Sequence, residues 1–213
     1  MLYNEHTDIV LNKLGVYGME RNVVKNIALT GMFIALGIVL PFLTGQIPQI
    51  GSMLLPMHIP IMLCGLVLGW KYGAIAGFIT PLLRSLIFGM PPLYPAAIAM
   101  AFELAVYGLV IGLIFSKVKW KCIYTILFSL AVSMIAGRIV WGLAMYVLLA
   151  IGGGSFTFAM FLAGAFVNAV PGIVLQFVLI PTVMLLLNRA GVVQLTKKHE
   201  RHTSEENGEV QEG

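Results

Sequence analysis

The sequence predicts an all-α integral membrane protein, and three observations support this fold class. Of the 213 residues, 59% are apolar and only 10% are charged, whereas a soluble domain has about 25% charged residues. Apolar runs near the roughly 20 residues that a membrane helix needs recur along the chain. Lys and Arg gather in alternate connections between these runs. The apolar content also excludes a disordered chain, and the length fits a single domain.

Six transmembrane helices are predicted, and they form a membrane domain over residues 26–189. The last two spans are longer than a bilayer requires, so we expect tilt or an interfacial extension. Residues 1–25 are predicted to be a cytoplasmic N-terminal arm with Met19 as an alternative start, and residues 190–213 a disordered, charged cytoplasmic tail. The predicted spans are Asn26–Thr44, Met53–Gly69, Tyr72–Gly89, Leu93–Ser116, Ile123–Ile151 and Phe156–Asn188.

The distribution of basic residues predicts the topology. Positive residues mark cytoplasmic connections, and here every basic connection falls on one side of the membrane, while the other three connections contain no Lys or Arg. Both termini are therefore predicted to be cytoplasmic. The basic residues concerned are Arg21 and Lys25 before the first span, Lys71 after the second, Lys117, Lys119 and Lys121 after the fourth, and Arg189, Lys197, Lys198 and Arg201 after the sixth.

Several classes of protein are disfavoured by what the sequence lacks. Cys64 and Cys122 form neither a disulfide framework nor a CxxC metal site. The sequence has no G-x-x-x-x-G-K-[ST] loop for ATP and no HExxH motif, and no predicted span contains an aspartate. An intramembrane enzyme is therefore disfavoured. The net charge of +4 belongs to the inner connections, so no nucleic-acid partner is predicted.

Charged side chains inside the predicted spans indicate a binding site. Inserting a charged side chain into a membrane span costs about 2.5–3.5 kcal/mol of free energy, so each such residue requires a structural or functional explanation. With the predicted topology, these residues and their polar neighbours lie at the midplane or in the outer half. They would line a pocket open to the outside, with aromatic walls and a few fixed polar groups. The predicted substrate-binding residues are His58, Arg84, Glu103, Tyr107, Arg138, Trp141 and Asn168.

Structural interpretations of the same residues remain open. Arg84 and Glu103 could form an ion pair that serves only stability. Two arginines against one glutamate then leave one positive charge, which a substrate carboxylate or phosphate, a lipid headgroup or water would neutralise. His58 could pack at a helix start, and Asn168 could make a hydrogen bond between helices.

Two further features bear on interactions. Ala28, Gly31 and Ala35 form a stripe of small residues on the first span, which allows another helix to approach closely. The first outer connection carries Gln46 and Gln49 between glycines. We interpret this connection as a lid over the pocket, with a plain connector as the alternative.

Together these features resemble the substrate-binding S components of energy-coupling factor (ECF) vitamin transporters. The resemblance rests on six helices with both termini inside, on the run IALTGMFIAL in the first span, and on LPMHIPIMLCGLVLGWKYGAIAGFITPLLRSLIFG in the second and third. It covers residues 25–188 and implies the S-component fold of riboflavin transporters.

The resemblance implies the role of a high-affinity substrate-binding subunit of an ABC importer in a bacterial cell membrane. Such a subunit captures a vitamin or related micronutrient from outside. It works with a transmembrane coupling (T) protein and two cytoplasmic ATPases, so ATP is used by the partners and no cofactor is expected in this chain. The stripe Ala28, Gly31 and Ala35 would be the docking surface for the coupling protein, and the outer halves of the later spans would form the pocket.

The substrate is predicted less sharply than the role. Two intramembrane arginines favour an anion such as pantothenate or niacin, because guanidinium binds carboxylate with two hydrogen bonds. A neutral vitamin such as riboflavin or pyridoxine would depend more on Tyr107 and Trp141. A stand-alone small-molecule carrier is the remaining alternative, although the sequence shows no clear internal repeat.

Overall fold

The structure, a computed structural model, describes residues 23–44, 54–118 and 122–193. These residues form helices and turns without any strand, which agrees with the predicted all-α class. Three predictions lie outside the described residues: the arm before residue 23, the lid residues Gln46 and Gln49, and the charged tail after residue 193.

Seven helices are described, and we number them in chain order. α1 covers residues 23–39 and continues as a 3-10 turn, Leu40–Thr44. Two short π-helical segments, Leu93–Ala97 and Ala163–Val167, precede α4 and α7 respectively. The remaining helices are α2 His58–Leu68, α3 Trp70–Phe88, α4 Ile98–Lys117, α5 Ile123–Ile151, α6 Phe158–Leu162 and α7 Val170–Arg189.

Four helical segments are long and apolar enough to cross a membrane: Val23–Phe42, Leu93–Lys117, Ile123–Ile151 and Phe158–Arg189. They coincide with four of the six predicted spans. The predicted second span contains α2, whose 11 residues extend only about 16 Å at 1.5 Å per residue. α3 has 19 residues and is not among the four segments. The number six and the side of the termini therefore remain predictions.

The centre of the molecule is a tight junction of α2, α3 and α4. A Cβ added to Gly73 would lie 2.7 Å from the Cα of Gly65, and one added to Gly65 would lie 2.6 Å from the carbonyl oxygen of Gly108. The three glycines therefore allow backbone-to-backbone contact that a side chain would prevent. Nine of the eleven residues of α2 are buried, so this short helix is surrounded by the others.

α1 packs on α3 through a similar contact. A Cβ added to Gly37 would lie 2.8 Å from Cγ2 of Thr80, and Thr30 and Phe33 are buried on the same side of α1. The side of α1 that carries Val24, Ile27 and other apolar residues is exposed.

The predicted sixth span, Phe156–Asn188, is not one continuous helix. α6 ends at Leu162, the chain passes through the π-helical segment and a turn, and α7 then begins at Val170. Pro171 lies in the first turn of α7, where its missing N–H and fixed φ favour a helix start. α7 packs against α2 and α5.

Candidate functional site

Glu103 is the centre of a buried polar cluster. It is the only acidic residue between Glu20 and Glu200, and only 1% of it is exposed. Arg138, which α5 brings against α4, places Nη1 3.0 Å from Glu103 Oε1. Both side chains are buried, so the carboxylate and the guanidinium neutralise each other away from water.

Tyr107 extends the cluster by one helical turn. Its hydroxyl donates a hydrogen bond of 3.1 Å to Glu103 Oε1, as the i, i+4 spacing allows. The Tyr107 ring packs against α5 at Gly137, where an added Cβ would lie 2.8 Å from the ring atom Cε1. This glycine lets α5 come close enough for its neighbour Arg138 to reach Glu103.

His58 completes the cluster from the first residue of α2. Its Nε2 lies 3.6 Å from Glu103 Oε1, which is longer than a hydrogen bond. The His58 ring meets the Tyr107 ring edge to face at 5.3 Å between centroids. The structure thus brings together four of the predicted residues, His58, Glu103, Tyr107 and Arg138, from three helices.

Arg84 does not join this cluster. Its Nη1 donates a 2.6 Å hydrogen bond to the carbonyl of Ile38 on α1, and its guanidinium lies over the rings of Phe42 and Phe88. Arg84 is one turn after Thr80, which packs on α1, so the face of α3 that carries both residues is turned toward α1. The interpretation of Arg84 and Glu103 as an ion pair is therefore wrong, because Glu103 pairs with Arg138 instead.

Trp141 lies one turn after Arg138 on α5, in an aromatic group near α6. Its ring stacks on Phe161 at 6.5 Å and meets Phe156 edge to face at 6.0 Å. A Cβ on Gly164 would lie 2.7 Å from the Trp141 ring, so this glycine admits the indole. Asn168 lies in the turn before α7 with its side chain exposed, and the structure does not bring it to Glu103.

Gln176 is a residue that sequence reasoning missed. It lies on α7 and is completely buried, and neither Oε1 nor Nε2 has a hydrogen-bond partner among the residues described. The same holds for both ring nitrogens of His58. Gln176 is the only glutamine in the segment Phe158–Arg189, but an uncharged amide is a weaker signal in an apolar run than a charge is.

The predicted docking stripe on α1 is open in the structure. Ala28, Gly31 and Ala35 are all exposed, and a Cβ added to Gly31 would meet no atom within 4 Å. The stripe lies on a different side of α1 from Gly37, which contacts α3. It therefore plays no part in packing among the described helices.

The composition of the cluster bears on what it could bind. In the part of the chain that the structure describes, no three His, Cys, Asp or Glu side chains group in a way that could hold a metal ion. The cluster contains a neutralised ion pair and a histidine whose ring nitrogens make no hydrogen bond to a described residue, and both are buried among apolar helices.

Comparison with known proteins gives one match. A family model described as "ECF transporter, substrate-specific component" matches residues 25–184, which is most of the chain and all of the helices that carry the cluster. No curated protein and no solved structure matches the chain significantly.

Proposed function

Because the chain belongs to the family of ECF transporter substrate-specific components, we propose that it captures a vitamin or related micronutrient outside the cell with high affinity. Members of this family are substrate-binding components of transporters and not enzymes. The observation that best supports a small-molecule site is the buried cluster of His58, Glu103, Tyr107 and Arg138. Polar groups that converge in an apolar surrounding are typical of such sites.

The structure and the sequence also support the proposed partners. The family role implies a transmembrane coupling protein and ATPases, and we propose two cytoplasmic ATPases that supply the energy. The open stripe of Ala28, Gly31 and Ala35 is a suitable docking surface for the coupling protein, because small side chains allow two helices to approach closely. The sequence has no G-x-x-x-x-G-K-[ST] loop, which fits a chain that recognises the substrate while other chains use ATP.

Two classes of substrate are proposed. The first is an anionic vitamin such as pantothenate, because arginines inside the membrane attract carboxylates. The second is a neutral vitamin such as riboflavin or pyridoxine, and a specific contact favours it: Arg138 is already paired with Glu103 at 3.0 Å. Trp141 and the neighbouring Phe156 and Phe161 would contact the ring of either vitamin.

We further propose six spans with both termini in the cytoplasm, in the plasma membrane of a bacterium. α2 and α3 would supply the second and third spans. They are joined at Gly69, beside Lys71, and a basic residue in this turn fits a cytoplasmic position.

Uptake of radiolabelled vitamins by cells tests the proposal and separates it from a stand-alone carrier. Cells that express the chain together with a coupling protein and ATPases should accumulate one vitamin, and an ATPase variant that cannot hydrolyse ATP should abolish this accumulation. Cells that express the chain alone should bind the vitamin at their surface without accumulating it. Accumulation by the chain alone would contradict the proposal and establish the carrier.

A further inference from the structure

Four buried polar atoms on α2 and α7 make no hydrogen bond to a described residue: Nδ1 and Nε2 of His58 and Oε1 and Nε2 of Gln176. His58 Nε2 faces Glu103 Oε1 at 3.6 Å. The two side chains are 1% and 0% exposed. Native proteins leave few buried polar groups unsatisfied, because each such group costs about 1–3 kcal/mol. Both side chains can therefore still form hydrogen bonds with a bound polar molecule.

Gln176 lies on the buried face of α7, about as far from the basic end of its helix as Glu103 and Arg138 are from theirs. Ile180 and Met184 belong to the same apolar core as Met62 and Leu104. The buried residues of α7 are Gly172, Gln176, Ile180, Pro181 and Met184. Basic residues mark the C-terminal ends of α4 and α7, at Lys117 and Arg189, and a basic connection precedes the start of α5 at Ile123. Counted from these ends, the distance along the helix is 13 to 15 residues for Glu103, Arg138 and Gln176. At 1.5 Å per residue this is about 20–22 Å in each helix. α7 also packs against both α2 and α5.

We propose that Gln176 and His58 form the deep end of the substrate site, and that they bind an uncharged group that both donates and accepts hydrogen bonds. A carboxamide, a ring lactam and a hydroxyl are groups of this class. The proposal rests on the proposed function and names the chemistry of one end of the substrate. In an acidic substrate such as pantothenate, the amide or a hydroxyl would enter first, and the carboxylate would remain outside this end.

The hydrogen-bond donors and acceptors of His58 and Gln176 explain why we propose an uncharged group. A neutral imidazole has one donor and one acceptor, and a glutamine amide offers both kinds. Since His58 Nε2 faces the Glu103 carboxylate at 3.6 Å, we assign the ring proton to Nε2, which leaves Nδ1 as an acceptor. An uncharged group with a donor and an acceptor can then satisfy His58 Nδ1 together with the Gln176 amide.

A carboxylate would fit this end poorly. Because it only accepts hydrogen bonds, it would leave His58 Nδ1 and Gln176 Oε1 without a donor. It would also bring a second negative charge near Glu103, whose carboxylate already takes the positive charge of Arg138. Sites built to bind a hydrogen-bonding group reject analogues that lack it, because their own buried groups then remain unpaired.

The test uses the purified full-length chain and the variant Gln176→Leu. Without ligand, the variant should melt about 2–6 °C higher than the wild type, because two unsatisfied atoms are replaced by an apolar side chain. Thr182→Val is the matched control on α7. Its hydroxyl is exposed and bonds only its own helix, to the carbonyl of Val178, so this change should alter neither melting nor binding.

Titration calorimetry with matched probes gives the second readout. Nicotinamide is compared with nicotinate, and pantothenol with pantothenate, and riboflavin and pyridoxine are added as neutral probes. Gln176→Leu should lose at least about tenfold in affinity for the probes that the wild type binds, whereas Thr182→Val should keep the wild-type affinity. If Gln176 had a purely structural role, Gln176→Leu would lower the melting temperature instead of raising it.

The outcomes separate the two proposals. Equal affinity of wild type and Gln176→Leu for every probe that binds, or a lower melting temperature of the ligand-free variant, overturns the inference and leaves the transport role intact. If no probe binds the wild type and no small molecule co-purifies with it, the proposed function itself fails, and the inference fails with it.

Discussion

At the scale of single residues, the charges of the site were visible in the sequence but their pairing was not. Glu103 and Arg138 stand out as charges in apolar runs, and the structure joins them at 3.0 Å. Arg84 stands out equally, yet it bonds to Ile38 instead. The direction in which a helical residue points depends on how the helix packs, and the sequence contains no signal for that rotation. Gln176 was missed because a single amide perturbs an apolar pattern less than a charge does.

The first prediction concerns the buried ion pair. Arg138→Ala should destabilise the protein by about 3–5 kcal/mol, because it leaves the Glu103 carboxylate buried without a counter-charge. The double variant Glu103→Gln with Arg138→Met should recover most of this loss, since neither group is then charged. Denaturant unfolding of the purified chain in detergent measures both changes. Equal stability of Arg138→Ala and wild type would show that the pair is not buried as described.

The second prediction concerns Arg84. Arg84→Met removes the hydrogen bond to Ile38 and the contacts of the guanidinium with the Phe42 and Phe88 rings. Hydrogen exchange at the C-terminal end of α1 should become at least about tenfold faster, as the loss of one charged hydrogen bond implies.

Arg84→Lys is the control for this change. It keeps the positive charge but lacks the planar guanidinium, so it should give an intermediate rate. Exchange that is unchanged in Arg84→Met would show that Arg84 does not hold α1 against α3.

At the scale of helices, sequence patterns located the elements well and their interruptions poorly. The predicted fourth and fifth spans match the helical segments Leu93–Lys117 and Ile123–Ile151 closely. The break between α6 and α7 was overlooked, because the run on both sides is apolar and only Pro171 marks a helix start. The second predicted span reduces to the 11 residues of α2 among the described positions, and hydropathy alone cannot reveal a short helix enclosed by its neighbours.

The third prediction compares two glycines. Gly108→Ala places a Cβ in direct contact with the backbone of Gly73, and overpacking of this kind costs about 1–3 kcal/mol. The side chain introduced by Gly31→Leu would point into open space. This variant should therefore keep its stability and ligand binding but fail to assemble with the coupling protein. Thermal unfolding and co-purification with a tagged coupling protein measure the two effects. Normal assembly of Gly31→Leu would remove Gly31 from the docking surface.

At the scale of the whole molecule, composition alone identified a membrane protein, and the family match over residues 25–184 supports that conclusion. The fold class was predictable because a bilayer demands apolar helices wherever a chain crosses it. The number of crossings is harder to predict. α2 is short and buried among other helices, and α3 carries polar residues such as Arg84, so neither helix has the length and hydropathy of a membrane span by itself.

The fourth prediction concerns topology. In a background without Cys64 and Cys122, the variant Ser155→Cys places a thiol at an exposed position between α5 and α6. A membrane-impermeant maleimide added to intact cells should label it, because that connection is predicted to face outward. A chain with Cys122 as the only thiol should be labelled only after the cells are broken. The reverse pattern would mean that the termini lie outside.

The most direct measurement is native mass spectrometry of the full-length chain, released from detergent after expression without its partners. We expect one small molecule bound to each chain, with the mass of a vitamin or related nutrient, and we expect Thr182→Val to retain it and Gln176→Leu to lose most of it. A chain that carries only lipid, and that gains no bound mass when each vitamin is added in excess, would contradict the assignment of this protein as a substrate-capturing component.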